Sequence, residues 1–240
     1  AYLLRFDSVY GRYEGEVDVE DGHLTIDGQR IRTSTERDPT QLPWGELDVD
    51  IVFECTGVFT KKEDLRKHIQ AGAQAVLLSA PAKDEETATV VHGVNEAGDQ
   101  IISCASCTTN CISPVVEIMQ RRLGVEKANM TTIHAYTASQ GIVDGPHKKW
   151  RRGRAGAANF VPTSTGAAIA TTKALPELKG KFDGAAIRGP VPVGSIADIN
   201  FVTSKDTTVE EINRIFQEEA GSDRYRGVLR TSDEHLVSSD

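Results

Sequence analysis

The sequence predicts an α/β protein in two parts: part of a doubly wound parallel sheet, followed by an α+β unit with a mixed or antiparallel sheet. Two observations predict this division. In residues 49–106, mostly apolar strand-like runs alternate with a helical segment, as in a doubly wound sheet. After Ser106 this alternation gives way to a long helix, a basic loop and further strands. We therefore expect two domains, residues 1–106 and 107–240.

The chain begins with a predicted β-meander. Apolar residues alternate with charged and polar ones across residues 17–26, which is typical of a half-buried strand pair. Asp-Gly pairs at 21–22 and 27–28 supply residues that accept a positive φ and so predict tight turns between strands. This segment is expected to precede the parallel sheet.

The parallel sheet is predicted to start with the apolar run at residues 49–57. Thr60 and Glu63 have the spacing of a capping box, which predicts a helix that runs to about Ala71. Gly72 is the expected stop signal. Further buried strands are predicted at 75–81 and 101–106.

Beyond residue 106 the apolar spacing becomes helical from Ile112 and ends at Gly124. Pro114 is expected to kink the first turn of that helix. The remaining predictions are a strand at 129–137, a basic loop at 138–160, strands at 185–188 and 195–203, and a helix from residue 209 capped by Thr208 and Glu211.

Composition excludes several classes of function. The formal net charge of −8 disfavours nucleic acid as the main partner. No apolar run is long enough for a membrane span, and residues 1–13 lack a secretory signal pattern. The four cysteines are too few and too clustered for a disulfide framework, so we expect a reducing cytoplasm. Both ends of the chain look cut, which suggests a fragment.

Cys107 is the candidate nucleophile because it lies where a predicted strand ends and a helix begins. A helix N-terminus stabilises a thiolate, the reactive form, through its free N–H groups and its dipole. Cys104 and Cys107 also form a C-x-x-C pair, which leaves a redox or metal role open, although no second ligand pair is present. We expect no metal, and we expect Cys55 and Cys104 to be buried apolar residues.

His134 is the candidate base. It is the histidine that lies within an apolar, threonine-rich strand, and a nucleophile needs a base within hydrogen-bond reach. A structural role for this residue stays open on the sequence alone. The other five histidines lie in polar or turn-like contexts and are expected at the surface: His23, His68, His92, His147 and His235.

Basic residues crowd the loop at 138–160. They allow a solvated charge run or subunit contact, a nucleic-acid patch, or an arginine that binds an anionic substrate. The hydroxyl-rich segment 163–166 follows this loop, and Arg188 ends a later strand, so both are candidates for binding phosphate. Together they describe a nucleophile close to one or two phosphate sites.

The run ASCTTNC at 105–111 resembles the signature around the nucleophile of phosphorylating glyceraldehyde-3-phosphate dehydrogenases. The resemblance extends along nearly the whole chain. Further similar runs are ERDP at 36–39, LPWG at 42–45, TGVFT at 56–60, SAPAK at 79–83, HAYT at 134–137, RRGR at 151–154, TGAA at 165–168 and LPELKGK at 175–181.

The resemblance implies oxidative phosphorylation of D-glyceraldehyde 3-phosphate to 1,3-bisphosphoglycerate, with NAD or NADP and a cysteine thioester, as in glycolysis. Cys107 would be the nucleophile and His134 its base. Thr137 and Arg188 would bind the phosphate of the substrate. The incoming inorganic phosphate would be bound by Ser106, Thr108, Arg152 and Thr165.

The resemblance also implies a partial Rossmann-type dinucleotide-binding domain followed by the catalytic domain. The NAD(P) cleft would be lined by Arg37, Thr56, Gly57, Ser79 and Ala80. No G-x-G-x-x-G occurs, so the pyrophosphate loop is expected upstream of Ala1, and we expect the isolated chain to be inactive. The loop at 138–160 would resemble a subunit-contact loop, which implies a homotetramer.

Some residues depart from the family pattern. Cys104 stands where asparagine is usual, Ser139-Gln140-Gly141 replaces a more usual Asp-Gln-Arg, and Gly145 replaces a common leucine. Three alternatives remain open: a dehydrogenase for another phosphorylated aldehyde or a semialdehyde, a cysteine hydrolase or protease, and a non-catalytic role such as RNA binding. Dependence on NAD(P) and phosphate separates the first from the others.

Overall fold

The computed structural model describes all 240 residues, and its strands form four sheets. The chain opens with the short helix α1 (Tyr2–Arg5) and the strand pair β1 (Phe6–Asp7) and β2 (Gly11–Arg12). The predicted meander is confirmed as three antiparallel strands: β3 (Val17–Glu20), β4 (His23–Ile26) and β5 (Gln29–Arg32). Both Asp-Gly turns have positive φ at both residues, the type I′ geometry that the sequence predicted.

The parallel sheet is confirmed as a four-stranded sheet with the order β6-β7-β9-β8. Its strands are β6 (Ile51–Glu54), β7 (Ala75–Leu78), β8 (Ala88–Thr89) and β9 (Ile101–Ser103). All neighbouring pairs are parallel, so the carboxyl ends of the strands lie at one edge. Helix α2 (Lys62–Gln70) connects β6 to β7, and the buried Leu65 packs it against Val76 and Leu78.

The predicted capping box of α2 is wrong. The N-cap residue is Lys61, whose side chain makes no cap hydrogen bond. Instead, the carboxylate of Asp84 accepts a hydrogen bond from the backbone N–H of Lys62 at 2.6 Å. Thr60 lies one residue before the cap, and its carbonyl accepts from the N–H of Lys83, which brings the 83–87 segment to the helix start. The cap is therefore supplied by a segment that is distant in sequence.

The second sheet has the order β11-β12-β10-β13 and is mixed, as predicted. Strand β10 (Val125–Ala135) pairs in parallel with β12 (Phe182–Gly189) and antiparallel with β13 (Ser195–Thr203). The short strand β11 (Val161–Thr163) pairs antiparallel with β12. The register places His134 opposite both Arg188 and Ser195. Strand β10 is therefore held on both sides up to the candidate base.

Helix α3 (Cys107–Leu123) starts five residues earlier than its apolar spacing predicted. Pro114 consequently lies well inside the helix, so the expected kink in the first turn is wrong. Gly124, with φ of 72°, ends it as predicted. The main core lies where α3 packs with α4 (Ala167–Ala174), α5 (Val209–Ala220) and the mixed sheet. Short 3₁₀ turns occur at Pro39–Gln41, Trp150–Gly153, Gly156–Ala158 and Pro176–Leu178.

Helix α5 starts where the sequence predicted, and Thr208 caps it by accepting a hydrogen bond from the N–H of Glu211 at 3.2 Å. The Glu211 carboxylate accepts from the hydroxyl of Thr207 at 3.0 Å. None of the five α-helices combines the length and apolar content that crossing a bilayer requires.

Candidate active site

The predicted nucleophile and base are in contact. Sγ of Cys107 lies 3.4 Å from Nε2 of His134. Cys107 is the first residue of α3, while His134 lies next to the last residue of β10. Cys107 is exposed and His134 is half-buried, so a ligand from solvent can reach the sulfur while the imidazole stays packed. This pair can perform nucleophilic catalysis with proton transfer.

Backbone N–H groups at the start of α3 lie beside the Cys107 sulfur without a hydrogen-bond partner. Ser106 is the N-cap, and its hydroxyl accepts a hydrogen bond from the N–H of Thr109 at 3.1 Å. The amide groups of Cys107 and Thr108 have no partner within the chain. The first amides of a helix lack intrahelical acceptors and carry partial positive charge. They can stabilise a thiolate or an oxyanion that forms next to it.

His134 is oriented through its second ring nitrogen. Nη1 of Arg188 lies 2.6 Å from Nδ1 of His134, and the carbonyl oxygen of Ala135 lies 2.9 Å from the same nitrogen. The same Arg188 nitrogen also donates to the Ala135 carbonyl at 3.0 Å. A guanidinium can only donate, so in this arrangement Nδ1 is an acceptor and the neutral imidazole carries its proton on Nε2.

Two arginines face the site without a carboxylate partner. Burial lowers the pKa of Arg188, and the nearby positive charge of Arg152 lowers it further. Nε of Arg188 is buried and has no hydrogen-bond partner, and neither arginine forms an ion pair within the chain. Two guanidinium groups that repel each other and have free donors form a site suited to an anion.

Arg152 is positioned by hydroxyl groups. Its Nε donates to Oγ1 of Thr163 at 3.0 Å, and its Nη1 donates to Oγ of Ser139 at 3.3 Å. Ser139 in turn lies 2.9 Å from the hydroxyl of Thr137, so a chain of polar contacts connects two of the predicted phosphate residues. The sequence did not assign a role to Thr163 or Ser139 in this contact, because both lie far from Arg152 along the chain.

The other predicted phosphate residues have separate environments. Thr108 is buried, and the hydroxyl of Ser106 is used in capping α3. Oγ1 of Thr165 accepts a hydrogen bond from the N–H of Ala167 at the start of α4, at 3.1 Å. No hydrogen bond joins these three residues to Arg152 or Arg188. Their assignment to inorganic phosphate stays a prediction.

Four of the five predicted cofactor residues lie at one edge of the parallel sheet. Thr56 and Gly57 follow β6, and Ser79 and Ala80 follow β7. The N–H and hydroxyl of Ser79 both donate to the carbonyl of Glu54, at 3.0 Å and 3.1 Å, which holds the two strand ends together. In doubly wound sheets, nucleotides bind in a crevice beyond the carboxyl ends of the strands.

Arg37 is the fifth predicted cofactor residue. It lies on an exposed segment before the turn at Pro39–Gln41, and its guanidinium forms no hydrogen bond or ion pair within the chain. No contact within the chain therefore joins Arg37 to the strand ends. Open space lies where a Cβ would project from Gly57, whose φ is 72°, so this side of the edge is free to receive a nucleotide.

Two expectations about cysteines are wrong. Cys55 is exposed and Cys104 is half-buried, whereas both were expected in the core. Each follows the end of a parallel strand, and a ligand-binding edge is more open than a strand interior. Burial raises the pKa of the Cys104 thiol, and the proximity of Cys55 raises it further. The chain brings together no group of three or more His, Cys, Asp or Glu residues arranged to hold a metal ion.

His68 is also misassigned by sequence reasoning. It is 4% exposed and lies against the equally buried Glu54, whereas a surface position was expected. The contact spans 14 residues of sequence between α2 and β6, so the local polar context of His68 could not reveal it.

Two family models and several known proteins match this chain. Residues 1–62 match the family model for the NAD-binding domain of glyceraldehyde 3-phosphate dehydrogenase, and residues 106–240 match the model for its C-terminal domain. A glyceraldehyde-3-phosphate dehydrogenase from Streptomyces coelicolor is 48% identical over 245 residues, covering all of this chain and 73% of that protein. The same enzyme from Priestia megaterium is 48% identical over all of this chain and 72% of its own length. A chloroplastic form from Scenedesmus vacuolatus is 47% identical, with 78% of its length covered.

Proposed function

The chain belongs to the glyceraldehyde-3-phosphate dehydrogenase family, and we propose that it performs the reaction of that family with Cys107 as nucleophile and His134 as base. It is an NAD-dependent oxidoreductase of glycolysis that acts on glyceraldehyde 3-phosphate. The observation that carries the residue assignment is the distance of 3.4 Å between Sγ of Cys107 and Nε2 of His134 at the start of a helix.

The first chemical step is addition of the sulfur to the aldehyde carbon. His134 accepts the Cys107 proton at Nε2, which requires that its own proton resides on Nδ1 and is donated to the Ala135 carbonyl. Arg188 must first break its hydrogen bond to Nδ1, which it can do by turning toward the phosphate of the substrate. The carbonyl oxygen becomes an oxyanion next to the free amides of Cys107 and Thr108.

When bound at the cofactor edge of the parallel sheet, NAD⁺ would supply the hydride acceptor for the oxidation. The residues at the carboxyl ends of β6 and β7 fit such a group, because Gly57 offers open space and Thr56, Ser79 and Ala80 lie at the same edge of the sheet. Cys107 retains the oxidised substrate as a thioester, which divides a difficult reaction into two easier steps.

The second step releases the product. Inorganic phosphate attacks the thioester carbon, and the Cys107 sulfur leaves as a thiolate. We assign the attacking phosphate to Arg152 together with Ser106, Thr108 and Thr165, and the phosphate of the substrate to Arg188 with Thr137. Two anion positions are supported by the guanidinium groups of Arg152 and Arg188, neither of which forms an ion pair. They lie close enough that the charge of Arg152 lowers the pKa of Arg188.

We further propose the domain division at residues 106 and 107 and a homotetrameric assembly. The division is supported by the change from the parallel sheet to the mixed sheet at the start of α3. The assembly is supported by apolar side chains that the 138–160 loop exposes: Ile142, Val143 and Trp150 are 90%, 73% and 89% exposed. Apolar side chains that are grouped in one exposed loop are candidates for an association surface. The four free thiols suit the reducing cytoplasm that the sequence predicted.

The proposal is tested in the full-length protein that contains these residues, by following NADH formation from glyceraldehyde 3-phosphate while phosphate and NAD⁺ are varied independently. We expect turnover to require both, and a thioester adduct on Cys107 to accumulate when phosphate is omitted. Peptide mapping by mass spectrometry would locate the adduct. Acylation of another cysteine, or turnover of esters without NAD⁺, would contradict the assignment. Light scattering after size-exclusion chromatography measures the assembly.

A further inference from the structure

A buried series of hydrogen bonds lies behind the turn that follows β6. It starts at Trp44, whose indole Nε1 donates to Nδ1 of His68 at 3.1 Å. Nε2 of His68 lies 3.1 Å from Oε2 of Glu54. The side chains of His68 and Glu54 are only 5% and 2% exposed. Polar groups buried this deeply are retained only when their hydrogen bonds are satisfied.

The first donor, the Trp44 indole, fixes which group donates in each hydrogen bond of this series. An indole nitrogen can donate but cannot accept, so Nδ1 of His68 must be the acceptor. Nε2 therefore carries the proton and donates it to the Glu54 carboxylate. Trp44 thus selects one tautomer of His68, because the hydrogen bond at one imidazole nitrogen sets which nitrogen carries the proton. The rings of Phe59 and His68 meet in a T-shaped arrangement, with centroids 6.4 Å apart.

The Glu54 carboxylate connects His68 to the turn through hydrogen bonds. Oε2 of Glu54 is used by His68, and Oε1 accepts from the backbone N–H of Thr56 at 2.7 Å and also from its hydroxyl. The Thr56 hydroxyl oxygen accepts from the N–H of Val58 at 3.1 Å. Both ends of the turn around Gly57 are therefore bound, directly or through Thr56, to a single buried carboxylate.

This turn follows β6, at the sheet edge that the proposed function assigns to the cofactor. We infer that Trp44 and His68 are positioning residues, which orient the Glu54 carboxylate and thereby fix the Thr56-Gly57 turn for NAD⁺ binding. The inference rests on the proposed function in one respect, namely that this turn contacts NAD⁺. Neither Trp44 nor His68 touches the reacting atoms, so their effect should fall on cofactor affinity and not on the chemical step.

The variants are chosen to separate hydrogen bonding from packing. Trp44→Phe keeps an aromatic ring and removes the N–H donor. His68→Leu removes both nitrogens, whereas His68→Gln offers one acceptor and one donor that can replace the two imidazole contacts. Gln70→Leu places the same new side chain on the exposed part of α2 and serves as the matched control.

Three measurements test the inference. Nitrogen-15 NMR of the wild-type imidazoles should show His68 as the Nε2–H tautomer. Hydrogen exchange of the Thr56 amide should become about fivefold faster in Trp44→Phe and His68→Leu, as expected for the loss of one hydrogen bond. The Kd for NAD⁺ should rise by about the same factor, with turnover at saturating NAD⁺ unchanged. His68→Gln should restore both values, and Gln70→Leu should leave them unchanged.

Each result has a distinct meaning. An Nδ1–H tautomer of His68, or an unchanged hydrogen-exchange rate of the Thr56 amide in His68→Leu, would contradict the hydrogen-bond series from Trp44 to Thr56. Faster exchange with an unchanged Kd would overturn its role in cofactor binding, as would a loss confined to turnover. If the wild-type full-length protein bound no NAD⁺, the cofactor assignment of the proposed function would fail, while the tautomer and the exchange rate would still decide whether the hydrogen-bond series exists.

Discussion

Arg188 and His134 are register partners on neighbouring parallel strands, and their side chains meet with Nη1 of the arginine 2.6 Å from Nδ1 of the histidine. One guanidinium thereby contacts the base and also faces the site assigned to the substrate phosphate. Because a guanidinium on Nδ1 prevents that nitrogen from carrying a proton, the arginine controls which nitrogen of the base is protonated. Binding of an anion to Arg188 is therefore expected to favour proton uptake at Nε2.

Replacing Arg188 by lysine should impair use of the phosphorylated substrate. Lysine keeps the charge but loses the planar donor pair that matches a phosphate. We expect the KM for glyceraldehyde 3-phosphate to rise about 30-fold, in line with the loss of charge-assisted hydrogen bonds. The KM for unphosphorylated glyceraldehyde should change much less. Arg154→Lys is the control, because Arg154 is exposed and pairs with Asp144 at 2.7 Å. Equal effects on both aldehydes would argue against a phosphate contact.

Cys107→Ser should lower turnover by about 1,000-fold or more, because a serine hydroxyl is a far weaker nucleophile than a thiolate. NAD⁺ affinity should stay within about twofold, since the cofactor residues lie on other elements. Steady-state kinetics and a binding titration measure the two effects. Cys111→Ser is the matched control, four residues along the same helix. Comparable losses in both variants would show that the defect is structural.

His134→Asn should slow alkylation of Cys107 by iodoacetamide at neutral pH and lower turnover by about 100-fold, as expected when a general base is removed. Quantitative mass spectrometry of the labelled peptide reports on the thiol even where turnover is too slow to measure. His147→Asn provides the comparison, since that imidazole contacts only the backbone of Lys149 within its own exposed loop. An alkylation rate unaffected by His134→Asn would remove the base assignment.

Glu219 should make folding stability depend on pH. Hydrogen bonds from Arg121, and then from Arg122, lower the pKa of this buried carboxyl below its ordinary value near 4.5, although burial opposes them. A lowered folded-state pKa contributes stability that is complete above the ordinary value and is lost as the pH falls through the folded value. Glu219→Gln should therefore lower the free energy of unfolding by about 2 kcal/mol at pH 7, and the difference from wild type should shrink as the pH falls. Urea unfolding at several pH values measures it; a constant difference would exclude the ionic contribution.

Asp84→Ala should destabilise the chain by about 1 kcal/mol, because it removes the carboxylate that caps α2 from a distant segment. Thr60→Val tests the cap that the sequence predicted, and it should cost less than about 0.5 kcal/mol, since the Thr60 hydroxyl makes no cap contact. Thermal unfolding of both variants gives the comparison. A larger loss in Thr60→Val would restore the local capping box.

The elements that sequence reasoning predicted are those whose signals are local. The Asp-Gly turns, the apolar parallel strands and the Thr208 cap each depend on neighbouring residues. Helix α4 was missed because its alanines and threonines show no apolar periodicity, although most of them are buried where α4 packs against α3 and the mixed sheet. The apolar spacing of α3 begins only at Ile112 because the residues of its first turn are short and polar, and its start at Cys107 was predicted from the end of the preceding strand.

The site was predictable where a family signature covers it and much less where contacts span the sequence. Cys107 and His134 were found from their motifs, and they meet across 27 residues. The burial of His68 depends on Glu54 and Trp44, which lie on other elements, and its local sequence is polar. Ser139 departs from the family pattern, and only its position next to Arg152 gives it a role.

The 17 residues of α3 form one continuous helix about 25 Å long, with the reactive sulfur at one end. At the other end, Arg121 and Arg122 bind carboxylates of α5. A packed helix moves as a rigid rod, so a small tilt at its anchored end displaces the opposite tip. Substitutions around Glu219 can therefore misalign the sulfur from the far side of the domain, and a screen for lost turnover would recover them although they touch no ligand.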